Sequence, residues 1–267
     1  MTSNGVTWTV ETVQSTDGTT IAYETAGDGP PIVLVGGAFN DRGTVRPLGA
    51  ALTADFTVYG YDRRGRGDSG DAAAYAVQRE IEDLAALIER AGGSAHLYGL
   101  SSGAILAAYA TAEGLPVTGL ALFEPPFRTG PHGGAEPGLA EELTGLVSAG
   151  RRGDAVALFL TDAVGVPGEA VAGMRGRPEW SWMEGLAHTL AYDTTVTGDG
   201  GLPTGRLAAI RVPTVVVDST GSPEWLRAAA AATAGAIPGA THLSLAGAFH
   251  EVSPEVLAPA LRDALLG

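Results

Sequence analysis

The chain has 267 residues, 45% of them hydrophobic and 17% charged, which is enough apolar material for one large core. Its formal net charge of −14 and pI near 4.6 argue against nucleic-acid phosphates and anionic membrane surfaces as partners, since both would repel it. There is no cysteine, which excludes disulfides, thiolate nucleophiles and zinc–thiolate sites.

The opening segments GVTWTVETVQ and TTIAYETAG alternate with a two-residue period about Asp17-Gly18, predicting an antiparallel hairpin. The first twenty residues carry no basic and apolar leader pattern, and no run of 18 apolar residues follows, so a soluble cytoplasmic protein is expected. PPIVLVGG is a continuous apolar run ending in glycine, as in a strand buried on both faces. Residues 44–53 suit a short helix, and FTVYGYD (56–62) a second buried strand. Val77, Ile81, Leu84 and Ile88 share one helical face, predicting an amphipathic helix from Val77 to Arg90. AHLYG (95–99) is again a strand, and residues 102–113 are apolar all round, as in a helix buried between layers. VTGLALFEPP (117–126) is the next strand and its stop.

From about 127 to 205 the rhythm changes to short helical stretches punctuated by Gly and Pro. It resumes with PTVVVDS, a helix from Ser222-Pro223-Glu224, the strand ATHLSLAG and a last helix from Ser253-Pro254-Glu255. Each serine there is placed to cap its helix and each proline to occupy the first helical position. The alternation predicts an α/β fold, a mostly parallel sheet of about eight strands with helices on both faces. Residues 1–126 and 206–267 form its core, and 127–205 a small helical cap inserted after the sixth strand.

One short motif carries chemistry. Gly99-Leu100-Ser101-Ser102-Gly103 matches G-x-S-x-G, in which a tight strand-to-helix turn lifts a serine hydroxyl to the carboxyl edge of the sheet. Its position between a buried strand and a buried helix is the context that mechanism needs, and Ser101 is the candidate nucleophile. Together with YDRRGRGDSGD, AVQREIEDLAALIERAGGSAHLYGLSSGA, LFEPPF, AGRRGDAV, HTLAYD and HEVSPEVLAPAL, it resembles the α/β-hydrolase fold family, in an actinobacterial-type branch, over nearly the whole chain.

The resemblance implies a base that takes the serine proton, and among His96, His132, His188, His242 and His250 it selects His250, which follows the last strand. His96 and His242 lie within strands and His188 in the cap, where packing roles are expected. Two acids compete for orienting the base: Asp218 at the end of the seventh strand and Glu124 at the end of the sixth. Glu124 is preferred because a longer side chain on the neighbouring strand end can reach His250. By resemblance the oxyanion donors are the backbone N–H groups of Ala38 and Ser102, although Gly36-Gly37 stands where many relatives carry His-Gly.

DRRGRGDSG (62–70) lacks the lysine and spacing of a phosphate loop, and resembles a structural turn. Asp41 and Arg42 read as salt-bridged surface residues beside the oxyanion loop, and Phe39, Trp180, Trp182, Met183 and Tyr192 as candidate lining for an apolar pocket. No cluster has metal-ligand spacing, so neither metal nor other cofactor is expected. The implied activity is cleavage of a carboxylic ester, lactone or thioester of a small apolar molecule through an acyl-enzyme on Ser101, by a monomer or homodimer. The alternative is a catalytically quiet or non-hydrolytic member of the fold: a cyclase, a transacylase or a ligand-binding protein.

Overall fold

The computed structural model describes residues 2–3, 5–72, 74–129 and 138–267, so His132 lies outside the described residues. Its organising element is an eight-stranded sheet. The strands are β1 (Thr9–Gln14), β2 (Thr20–Ala26), β3 (Pro31–Val35), β4 (Thr57–Tyr61), β5 (Ala95–Leu100), β6 (Val117–Phe123), β7 (Thr214–Ser219) and β8 (Thr241–Leu245). They run in the spatial order β1-β2-β4-β3-β5-β6-β7-β8. β2 pairs antiparallel with both β1 and β4, and every other neighbouring pair is parallel. The β1–β2 turn forms as the sequence predicts, with Gly18 at φ 84° and Asp17 accepting from the Thr19 N–H at 2.9 Å.

Strand pleating divides the apolar residues between two cores. Val33 and Val35 of β3 face one layer, with Ile81, Leu84 and Ile88 of α2 (Val77–Arg90) and Ile105 of α3 (Ser102–Ala112). Ile32 and Leu34 face the other, with Leu48 of α1 (Arg42–Leu52) and Leu261 of the C-terminal helix (Pro254–Leu266). The α2 bounds and buried face are those its spacing predicts, each fully buried aliphatic side chain contributing about 2 kcal/mol.

Between β6 and β7 lie α4 (Leu139–Ser148), α5 (Arg152–Leu158), a π-helical turn (Phe159–Val164), α6 (Gly168–Met174), α7 (Pro178–Gly185), a 3₁₀ turn (Ala187–Thr189) and α8 (Leu190–Thr197). These helices bury their own apolar cluster, around Leu143, Val156, Phe159, Trp180 and Leu190, and Ala38 and Phe39 from the loop after β3 pack against it. A one-turn α9 (Thr204–Leu207) returns the chain to β7. No helix among the described residues is long and apolar enough to cross a membrane.

The last two helices differ at their starts. In α11 (Pro254–Leu266) Ser253 occupies the cap and Pro254 the first position, as expected. In α10 (Glu224–Ala236) the cap position is Pro223 itself, and the hydroxyl of Ser222 instead accepts a long bond from the His250 N–H at 3.4 Å.

Candidate active site

Ser101 is the single residue between β5 and α3, with φ 57° and ψ −123°. An L-residue avoids this region, so the corner is strained, and the surroundings enforce it. Its N–H donates to the Phe123 carbonyl at 2.9 Å. A Cβ at Gly99 would stand 2.5 Å from Ala104 Cα, and one at Gly103 would stand 2.4 Å from the Val35 carbonyl oxygen. Both motif glycines are therefore demanded by backbone contact. Among the described residues the Ser102 N–H, at the first turn of α3, has no protein acceptor. The Ala38 N–H has none either, so both are free to receive an oxygen anion, and the α3 dipole favours one.

β6 ends one residue before Glu124, which is wholly buried and also at positive φ, 49°. Its Oε1 accepts from the Ser219 N–H at 2.8 Å, and its Oε2 lies 2.6 Å from His250 Nδ1. Burial alone would raise this carboxyl, but contacts from His250, the Ser222 hydroxyl and the Ser219 N–H outweigh it and hold it below its ordinary value. His250, at φ 52°, and Ser101 both line one cavity of about 390 Å³.

The loop after β3 forms the facing wall. Phe39 is held at φ 59° with its ring edge-on to Phe159, and Asn40 Oδ1 accepts from the Gly37 N–H at 2.9 Å. A Cβ at Gly37 would press on the Leu100 carbonyl oxygen at 2.9 Å, and one at Gly36 on Asn40 Cβ at 2.8 Å. Asn40 thus fills the room a side chain at Gly36 would take. Beneath the loop runs a buried charge chain. Arg63 donates to both Glu80 oxygens at 2.6 Å and to Asp193 Oδ1 at 2.7 Å, and Arg66 to Asp193 Oδ2 at 2.7 Å. The same guanidinium groups donate to the carbonyls of Gly36 (3.2 Å), Gly37 (2.5 Å) and Asn40 (3.2 Å), while the Ser102 hydroxyl donates to Asp193 Oδ1 at 2.7 Å. Burial would raise the Asp193 carboxyl, but Arg66, Arg63 and Ser102 together lower it. Asp193, from α8, therefore ties these helices both to the loop after β3, through Arg63 and Arg66, and to the start of α3, through Ser102.

Several sequence-predicted residues lie elsewhere. Asp218 does not reach His250. Position 218 shares a pleat face with Val216, toward α10, so its carboxylate accepts from His242 Nε2 at 2.5 Å and Ser244 Oγ at 3.1 Å, with Arg227 Nε at 3.5 Å. Of the proposed pocket aromatics only Phe39 lines the cavity. Trp180 and Met183 are buried inside the cap because α7 turns them toward α5, and Trp182, on its other face, is 40% exposed. Tyr192 stacks on Tyr75 with ring centres 4.1 Å apart and donates to Asp71 at 2.8 Å. His96 packs edge-on to Phe56, and His188 bonds the Gly65 carbonyl at 2.7 Å. Asp41 caps α1, and Arg42 pairs with Asp62 and Asp68.

The rest of the wall comes from residues that sequence reasoning passed over: Asn40, Arg128, Leu160, Val164, Trp225 and Phe249. Their signal was faint because they lie on five separate segments without a motif. Arg128 and Phe249 stood beside quoted ones, directly after LFEPPF and directly before HEVSPEVLAPAL.

The sequence matches the model of the alpha/beta hydrolase family over residues 32–260. The chain is similar to a solved alpha/beta hydrolase from Sphaerobacter thermophilus, with 50% identity and a TM-score of 0.90, covering 95% of this chain and 99% of that one. It is also similar to a hydrolase from Pseudomonas aeruginosa at 23% identity, with a TM-score of 0.77 and coverage of 97% and 98%. An enol-lactonase from Burkholderia xenovorans matches at 21% identity, with a TM-score of 0.74 and coverage of 96% and 100%. At the two lower identities the likeness is one of fold.

Proposed function

The chain belongs to the alpha/beta hydrolase family, and from that premise we propose that it is a serine hydrolase cleaving a carboxylic ester, lactone or thioester of a small molecule. One observation carries the reading. Among the described residues the only non-glycine positions at positive φ are Phe39, Ser101, Glu124 and His250; far apart in sequence, three of them line one cavity and the fourth, Glu124, touches His250. Strain of this kind persists where the surrounding structure enforces it, and its clustering marks a working site.

In this reading His250 accepts the Ser101 hydroxyl proton as Oγ attacks the carbonyl carbon, and Glu124 fixes the ring's orientation and stabilises the imidazolium. The tetrahedral oxyanion lies between the Ala38 and Ser102 N–H groups. His250 then hands its proton to the departing alkoxide or thiolate, leaving the acyl group on Ser101. Water, deprotonated by the same imidazole, releases the acid and restores the hydroxyl. That the similar Burkholderia xenovorans protein is an enol-lactonase is consistent with a lactone among the candidate bonds, within a fold that hosts many chemistries.

The test is intact-protein mass spectrometry after exposure to a fluorophosphonate. One covalent adduct is expected on the wild type and none on Ser101→Ala or His250→Ala. An unmodified wild type would sink the proposal in favour of a ligand-binding protein.

A further inference from the structure

All sixteen basic residues of this chain are arginines, against thirty acidic residues. In so acidic a protein an arginine finds a carboxylate readily, and those with buried guanidinium groups do: Arg63, Arg64 and Arg66 are each paired with Glu80, Asp83, Asp17 or Asp193. Arg128 departs from this pattern. It is half-buried and lines the cavity that holds Ser101 and His250, yet no described carboxylate lies within ion-pairing distance. Among the described residues its one side-chain hydrogen bond is a long one from Nη2 to the Ala163 carbonyl at 3.3 Å. Burial pushes this guanidinium below its ordinary value, with no described acid to offset it. A desolvated cation left this way is costly unless an anion joins it.

The backbone holds Arg128 in place. It follows Glu124 by four residues through Pro125-Pro126 and the fully buried Phe127, and its N–H donates to the Gly200 carbonyl at 2.6 Å. The candidate triad acid and this cation thus share one fastened segment. Arg128, Val164 and Trp225 also line a second, outer cavity of about 610 Å³, so the guanidinium stands at the boundary between the two. Asp162 and Glu224 stand in the outer wall, beyond ion-pairing distance of Arg128, and favour no anion there.

We infer that Arg128 is a specificity-determining residue and that the substrate carries a carboxylate remote from the bond cleaved, bound by this guanidinium while the scissile carbonyl meets Ser101. The inference rests on the hydrolase reading above and names its substrate class. A planar guanidinium matches a carboxylate in a two-pronged fork. A phosphate is the poorer fit, because its second charge would meet no second cation in a protein of net charge −14. The aliphatic wall formed by Leu160, Ala163 and Val164 suits the carbon chain between the two ends.

The experiment compares two matched ester pairs. One is para-nitrophenyl hydrogen glutarate against para-nitrophenyl pentanoate, with the charge on the acyl side. The other is para-carboxyphenyl butanoate against para-tolyl butanoate, with the charge on the leaving group. In at least one pair, wild type is expected to favour the acid by about tenfold or more in kcat/KM, and that ratio to collapse about tenfold in Arg128→Gln and recover in part in Arg128→Lys. Ratios unchanged in a folded Arg128→Gln overturn the inference. Should wild type turn over none of the four, calorimetric titration of Ser101→Ala with monomethyl glutarate decides. Binding that disappears in Ser101→Ala/Arg128→Gln keeps the carboxylate site while the hydrolase reading falls, and no binding to Ser101→Ala overturns the inference.

Discussion

Glu124 and Asp218 are both wholly buried and end neighbouring strands, but their donors differ. Glu124 accepts from Ser219 and meets His250, whereas Asp218 accepts from His242 and Ser244 and pairs with Arg227, all of the β8 and α10 side. Glu124→Gln is therefore expected to lower kcat by about 10³-fold or more with folding retained, since the amide cannot stabilise an imidazolium. Asp218→Asn should leave kcat within about threefold of wild type and cost about 1–3 kcal/mol of stability. Steady-state kinetics on a hydrolysed aryl ester and urea unfolding of both variants check the pair. Equal losses of kcat would mean that the two acids have been assigned the wrong partners. The sequence left both acids open for a physical reason. Strand-end position was legible, but the choice between them turns on pleat parity and on a positive φ at a glutamate, which no periodicity announces. The cap aromatics failed similarly, because composition put Trp180 and Tyr192 near the cap but not on its inner side.

At the scale of elements, the strand–turn–helix corner was the most legible part, because its glycines are required by backbone contact and its flanks by burial. That requirement can be measured. Gly103→Ala places a methyl 2.4 Å from the Val35 carbonyl oxygen and 2.5 Å from that of Gly36, so α3 or the loop after β3 must shift. The expected cost is about 1–3 kcal/mol or more, with a fall in kcat. Gly145→Ala is the control, lying inside α4 with nothing within 4 Å of the added methyl. It should stabilise by about 0.5–1 kcal/mol through helix propensity alone, with kcat unchanged. Thermal melts of the two variants beside wild type test this, and a neutral Gly103→Ala would count against the enforced corner. Ser222 shows the limit of local reading. Its Ser-Pro-Glu pattern fits a cap, but the residue lies beside Glu124 and His250, and the site takes its hydroxyl instead.

At the scale of the molecule, the buried chain Glu80–Arg63–Asp193–Arg66 joins α2, the segment after β4 and α8 across sequence separations of up to 130 residues, and Ser102 ties α3 to it. DRRGRGDSG was readable as a turn rather than a phosphate loop, but nothing near it in sequence shows that its arginines meet an aspartate of α8. The chain also fixes how stability depends on acid. Asp193 is held below its ordinary value of 3.8 in the folded protein, so the unfolded chain binds that proton first as pH falls. Its contribution is complete above about pH 5 and is lost as pH drops through the unfolded and then the folded value. Asp193→Asn removes that term while leaving every other titrating group in place, including Asp62 and Asp83, which burial shifts the other way. The variant should be less stable than wild type by about 3 kcal/mol or more near neutrality, because Arg66 loses its only acidic partner among the described residues and stays buried. The gap should narrow steadily below about pH 4. Urea midpoints of both proteins between about pH 7 and about pH 3 read it directly, and a gap that stays constant or widens toward the acid end would show that Asp193 is not the charge holding cap and loop together.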